Sequence, residues 1–151
     1  MAGQALWGRF ATARAGNLLT SRAALVSTTT RFAGFGLVLA VILCVAGPVV
    51  TRFITGDSAI AGSSLTFLLF GSLIALQATQ YPSAMLQTDI AGVKFQAVCS
   101  LVMCALNLGI SYVAAQHIGL AGPILGSVVA FLVALAVPTI IRGVLLTQVA
   151  N

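Results

Sequence analysis

The residues here that could do chemistry are few, and the most suggestive spacing lies in one stretch. The only histidine, His117, is followed at once by Gly119, Gly122 and Gly126 in QHIGLAGPILGS. Glycines at this spacing can cradle a phosphate with backbone amides, or let two helices press their backbones together. A phosphate loop needs a strand before it and usually a lysine after it, and neither is present. One imidazole with no second histidine, no glutamate and no nearby cysteine is not a metal site, so His117 reads as an interfacial structural residue beside a turn at Gly119.

The other reactive groups are equally isolated. Cys44, Cys99 and Cys104 have no paired spacing and read as small packing residues. The only acids are Asp57 and Asp89, both near the ends of apolar runs. No carboxylate pair for acid/base work can be assembled from them. Serines are plentiful but lack a positioned base. An enzyme is not expected; nor is a catalytic residue, a metal site or a cofactor.

The elements that hold these residues follow from composition. Of the residues, 60% are hydrophobic and 6% charged, and the mean hydropathy is +1.11. So few ionic groups cannot cover a water-soluble globule. A crossing of the hydrocarbon core needs about 20 mostly apolar residues. Uncharged runs at Phe32 to Thr51, Ser58 to Thr88, Phe95 to Gln116 and Ile118 to Ile141 each suffice for one. The expected fold is an all-α membrane protein of about four transmembrane helices, at about 32–51, 59–81, 95–116 and 120–141. The polar end of the second run, QATQYPSAMLQT, predicts an interfacial segment after Pro82. Pro48 and Pro138 should kink or end their helices, whereas Pro123 falls in a first turn, where its missing N–H is harmless.

Charge placement sets the orientation. Every lysine and arginine except Arg52 falls before the first run, between the second and third, or after the fourth. The positive-inside bias therefore puts both termini and the loop holding Asp89 and Lys94 in the cytoplasm. Residues 1–31 read as a basic amphipathic cytoplasmic segment, with Trp7 and Phe10 at headgroup level, and 143–151 as a cytoplasmic tail. No cleavable signal peptide is expected, because the basic start leads into a full-length apolar run. The net charge of +5 would suggest nucleic acid in a soluble chain; here the arginines flank lipid-length segments, and no nucleic-acid partner is expected.

Helix faces read at steps of three and four show two kinds of stripe. Ser100, Cys104, Asn107 and Ser111 form one polar line; Gln77, Gln80, Ala84 and Gln87 form another. They serve either as interhelical hydrogen bonds or as a cavity lining for a polar substrate, so Gln77, Gln80, Asn107 and Ser111 are the candidate substrate-path residues. Gly36, Ala40, Cys44 and Gly47, and then Gly122, Gly126, Ala130 and Ala134, form small-residue stripes. Of these, Gly36, Gly47, Gly122 and Gly126 are the candidate helix-packing positions.

The order of these pieces resembles a known family. LWGRFATARAGN, an apolar span ending VVTRFITGD, then SLIALQATQYPSAMLQTDIAGVK and ALNLGISYVAAQHIGLAGPILGSVVA together resemble the C-terminal part of polysaccharide flippases of the multidrug/oligosaccharidyl-lipid/polysaccharide exporter superfamily. The likeness covers nearly the whole chain and rests on pattern and order, since none of these pieces is a catalytic signature. It implies helices belonging to one bundle of a transporter with about twelve to fourteen spans, which moves lipid-linked sugars across the bacterial cytoplasmic (inner) membrane by alternating access. Such a chain would be a partial or truncated transporter, active only with helices supplied from elsewhere. The implied partners are the lipid bilayer, a lipid-linked oligosaccharide, and other transmembrane helices or further copies of the chain. In the segment RFATARAGN, where the family often carries acids, this chain has Thr12 and Asn17, and no substrate-binding residue is carried over by motif. Two other readings stay open: a small four-span scaffold or accessory protein without transport, and a channel-forming homo-oligomer.

Overall fold

The computed structural model describes residues 22–56 and 63–148, and among these every regular element is helical. In chain order these are α1 (Arg22–Thr55), α2 (Ser64–Leu86), α3 (Ile90–Ile118), a 3-10 turn (Gly119–Ala121), α4 (Gly122–Ala130), a wide π turn (Phe131–Ala136) and α5 (Val137–Gln148). The apolar runs contain no polar punctuation to stop them, so the chain satisfies its own amides helically until a turn residue intervenes.

Those turn residues are identifiable. Gly56, at φ 66°, follows the end of α1, and its N–H donates to the Arg52 carbonyl at 3.0 Å. Ser63 caps α2, its hydroxyl accepting from the Thr66 N–H at 3.3 Å. Between α2 and α3 the chain turns within three residues, and a Cβ at Gly92 would strike the Gln87 carbonyl. Gly119 ends α3 at φ 58°, a backbone conformation that favours glycine.

The helices form two antiparallel hairpins. In the first, α1 runs against α2: a Cβ on Gly36 would lie 2.6 Å from the Ala78 methyl, Gly71 sits against Ala40, and Gly47 faces the Phe67 ring. In the second, α3 runs against α4 and the π turn: Gly122 meets the Ala115 backbone and Gly126 meets Ser111. The hairpins join where the end of α2 packs on α5, with Ser83 and Gln87 beside Gly143.

Several expectations change. Residues 22–31 are continuous with α1 as its first turns rather than a separate segment, and residues 143–148 continue α5 rather than forming a separate tail. The parts of those segments at 1–21 and 149–151, with Trp7, Phe10, Thr12 and Asn17, lie outside the described residues. The helix does not stop at Pro82: α2 continues to Leu86 with Pro82 buried inside it, so the residues after Pro82 are not a segment separate from the helix. Pro48 likewise sits within α1. Ahead of Pro138 the helix widens into the π turn, where the Val137 N–H donates to the Leu132 carbonyl five residues back. A proline ring collides with the carbonyl four residues before it, and a widened turn relieves that collision without ending the helix.

By length and composition, two stretches are long and apolar enough to cross a membrane, Ala23–Ile54 and Ile90–Thr147. The expected third and fourth spans both lie in the second stretch, on either side of the Gly119 turn. The helix Ser64–Leu86, expected as the second span, is not among them. Its second half dilutes the apolar character with Gln77, Thr79, Gln80, Tyr81 and Ser83.

Candidate functional site

The polar side chains gather in two seams. The first lies inside the second hairpin. Ser111 Oγ on α3 donates to Asn107 Oδ1 at 2.7 Å and lies 3.2 Å from the Pro123 carbonyl oxygen. Ser127 Oγ on α4 lies 2.9 Å from the same carbonyl and 3.4 Å from Asn107 Oδ1. Gly126 permits this, because a side chain there would occupy the space of the Ser111 hydroxyl and come within 3.0 Å of Asn107 Oδ1. Of the polar line on α3, only Asn107 and Ser111 engage α4; Ser100 and Cys104 face outward.

The second seam joins the hairpins. Gln87 Nε2 donates to the Thr139 carbonyl at 2.7 Å and to the Ser83 carbonyl at 3.1 Å. Gln96 Nε2, on α3, donates to the carbonyls of Gln87 at 2.9 Å and Ala84 at 3.1 Å. Two amide groups thus take up carbonyls around the end of α2, where the last turn leaves acceptors unpaired. Gln87 and Thr139 are both 0% exposed. Gln87 Oε1 and Thr139 Oγ1 have no protein hydrogen-bond partner. Thr28, Thr30, Thr51 and Thr79 all donate to the carbonyl four residues back. For Thr139 that residue is Leu135, inside the π turn.

Beside this seam, Arg142 Nη1 donates to the Ala91 carbonyl at 3.4 Å, and its guanidinium lies 4.5 Å from the Phe95 ring centroid. Cation and ring together tie α5 to the start of α3.

The sequence-derived candidates therefore separate. Asn107 and Ser111 bond to each other. Gln80 is buried one turn from Ser83. Gln77 is exposed and lines a cleft of about 300 Å³ between α1 and α2, with the stacked rings of Phe32 and Tyr81 (centroids 5.7 Å apart) at one end. Of the glycine positions, Gly36 and Gly47 lie in the first hairpin, Gly122 and Gly126 in the second.

Sequence reasoning missed Ser83, Gln96, Ser127, Thr139 and the packing role of Arg142. Thr139, Gly143 and Thr147 recur every four residues, a small-and-polar stripe of the kind that flagged the other faces. Among the described residues no group of three or more His, Cys, Asp or Glu comes together. His117 is exposed in the last turn of α3. Cys44 Sγ lies 3.5 Å from the Phe67 carbonyl, Cys99 is buried and Cys104 is exposed. The two seams can align helices, with the Gln87 and Thr139 groups fully buried and the Ser111 and Ser127 hydroxyls partly exposed; they present no nucleophile beside a base.

Comparison with protein-family models, with curated proteins and with solved structures finds no match to this chain.

Proposed function

We propose that this chain is a four-crossing, membrane-embedded part of a flippase-like transporter, translocating lipid-linked sugars together with helices supplied from outside this sequence. The observation that carries the embedding is an inverted pattern of burial. The largest fully buried side chains are Gln87, Thr139, Pro82 and Ser83. The most exposed include Leu120 at 90% and Phe53 at 88%, in a surface studded with outward valines, leucines and phenylalanines. In water such a surface is an aggregation hazard, whereas facing acyl chains it costs nothing, and the polar groups then belong inside.

By length, though for α2 not by apolar composition, each hairpin arm suits a crossing. The arm α2 has 23 residues, or about 35 Å of helix against a core of about 30 Å, and α4, the π turn and α5 run on without a break from Gly122 to Gln148. The four-crossing count rests on the hairpin turns and the charge bias, and the sugar-lipid cargo rests on the ordered resemblance. Orientation follows the same bias, with both termini and Lys94 in the cytoplasm, and the bacterial inner membrane rests, like the cargo, on the resemblance.

Two measurements test this. Resistance to alkaline carbonate extraction, with Lys94 reached by amine reagents only from the cytoplasmic side, is expected of the embedded chain. Release by carbonate, or labelling of Lys94 from outside, rejects it. For transport, Gln80→Leu or Asn107→Leu should impair complementation of surface-sugar display at unchanged protein level. Full activity in both variants removes these residues from any path.

A second reading, a scaffold or accessory protein whose helices bind partner helices without transport, draws on one observation: Asn107 and Ser111 hydrogen-bond within their own hairpin. Crosslinking in native membranes separates the two, since transport requires contact with a helical bundle that completes the path.

A further inference from the structure

The cleft between α1 and α2 orders its chemistry along the helix axes in a way neither seam does. At its apolar end lie Phe35, Leu39 and Ile74. Next comes the exposed amide of Gln77, and one turn further the phenol ring of Tyr81, stacked on Phe32. Arg31 is exposed, one turn before Phe35 on the same face of α1, and borders the uncharged run that begins at Phe32. The groove itself is therefore lined by phenol, then amide about 6 Å deeper, then hydrocarbon, and the Arg31 cation flanks its phenol end next to Phe32 without lining it.

We propose that the groove seats one anionic glycerophospholipid. The phosphate lies at Arg31 and Tyr81, the glycerol ester carbonyls accept from the Gln77 amide, and an acyl chain lies along Phe35, Leu39 and Ile74. A lipid presents phosphate, ester and chain in this order along the bilayer normal, and the groove presents their complements in the same order. An exposed glutamine at this depth otherwise sets an unpaired amide against hydrocarbon, and an ester carbonyl satisfies it. Charge selects the headgroup. The only acids in the sequence are Asp57 and Asp89, neither of them on α1 or α2. These helices therefore offer a choline or ethanolamine amine no carboxylate, while Arg31 favours net negative charge. The assignment rests on the membrane-embedded reading above and is independent of whether the chain transports anything.

The test is native mass spectrometry of the full chain, purified from the carbonate-resistant membrane fraction, with phosphatidylglycerol and phosphatidylcholine of matched chains. Carbonate resistance reports on embedding and lipid adducts report on the site, so the two can fail separately. Phosphatidylglycerol should be retained about fivefold over phosphatidylcholine. Arg31→Gln should abolish that preference and Arg31→Lys should restore it. Arg52→Gln, at the other end of α1, should leave it intact, and Gln77→Leu should weaken retention of both lipids. Equal retention of the two lipids by the unaltered chain overturns the proposal, as does equal loss from Arg31→Gln and Arg52→Gln. Quantitative disulfide dimerisation of Phe35→Cys in membranes also overturns it, because a second copy would then fill the groove.

Discussion

The two hairpins solve the same packing problem differently. In the first, α1 and α2 approach through missing side chains and a ring: Gly36 on Ala75 and Ala78, Gly71 on Ala40, Gly47 on Phe67. In the second, glycine brings the backbones just as close, but the space gained is filled by the hydroxyls and amide of Ser111, Ser127 and Asn107. Lipid supplies no hydrophobic drive between helices, so contact rests on dispersion or on hydrogen bonds. The apolar contact of the first hairpin can be perturbed by degrees; the polar seam of the second fails once its groups are separated.

The sharpest way to break this contrast is Gly122→Leu. Its side chain would meet the Ala115 backbone, which cannot swing aside, and a loss of about 3 kcal/mol or more of folding stability is expected. Denaturation in mixed micelles measures it; a loss below that of Gly47→Leu would reverse the ranking of the hairpins, since the Phe67 ring facing Gly47 can rotate. Next is Gln87→Leu, which removes the bonds to the Thr139 and Ser83 carbonyls and should cost about 1 kcal/mol.

Thr139→Val is expected to have the opposite sign. The Thr139 hydroxyl is buried with no protein partner, so a near-isosteric apolar replacement should leave stability unchanged or raise it by about 1 kcal/mol. A marked loss in the same assay would show that the hydroxyl has a partner after all. The smallest effect belongs to Gly109→Ala, where an added methyl meets nothing within 4 Å. No loss of folded yield is expected, which makes it the baseline for the other glycines.

What the sequence made legible was local and periodic. Gly36 and Gly47, like Gly122 and Gly126, stood out because small residues recur at helical spacing among bulky ones. Pro123 stands in the first turn of α4 as its position predicted, whereas Pro82 misled, being absorbed inside α2, and the irregularity expected at Pro138 takes the form of a wide turn that no residue pattern announces. The Gln87 to Thr139 bond spans 52 positions, and only the packing of one hairpin on the other brings the two together. Arg142 read as a topology marker because its charge was visible and its ring partner was not. Gln77 and Gln80, three residues apart and grouped on one stripe, end in different settings because the edge of that stripe falls between them.

The π turn at Phe131–Ala136 also acts as a phase shifter. A bulge holds one more residue than an ordinary turn, so everything beyond it is rotated by roughly 100° relative to an uninterrupted helix. Excising a single residue there would regularise the coil and carry Thr139, Gly143 and Thr147 together off the face that meets Gln87. The mating of the two halves of this molecule is thus indexed by one surplus amino acid.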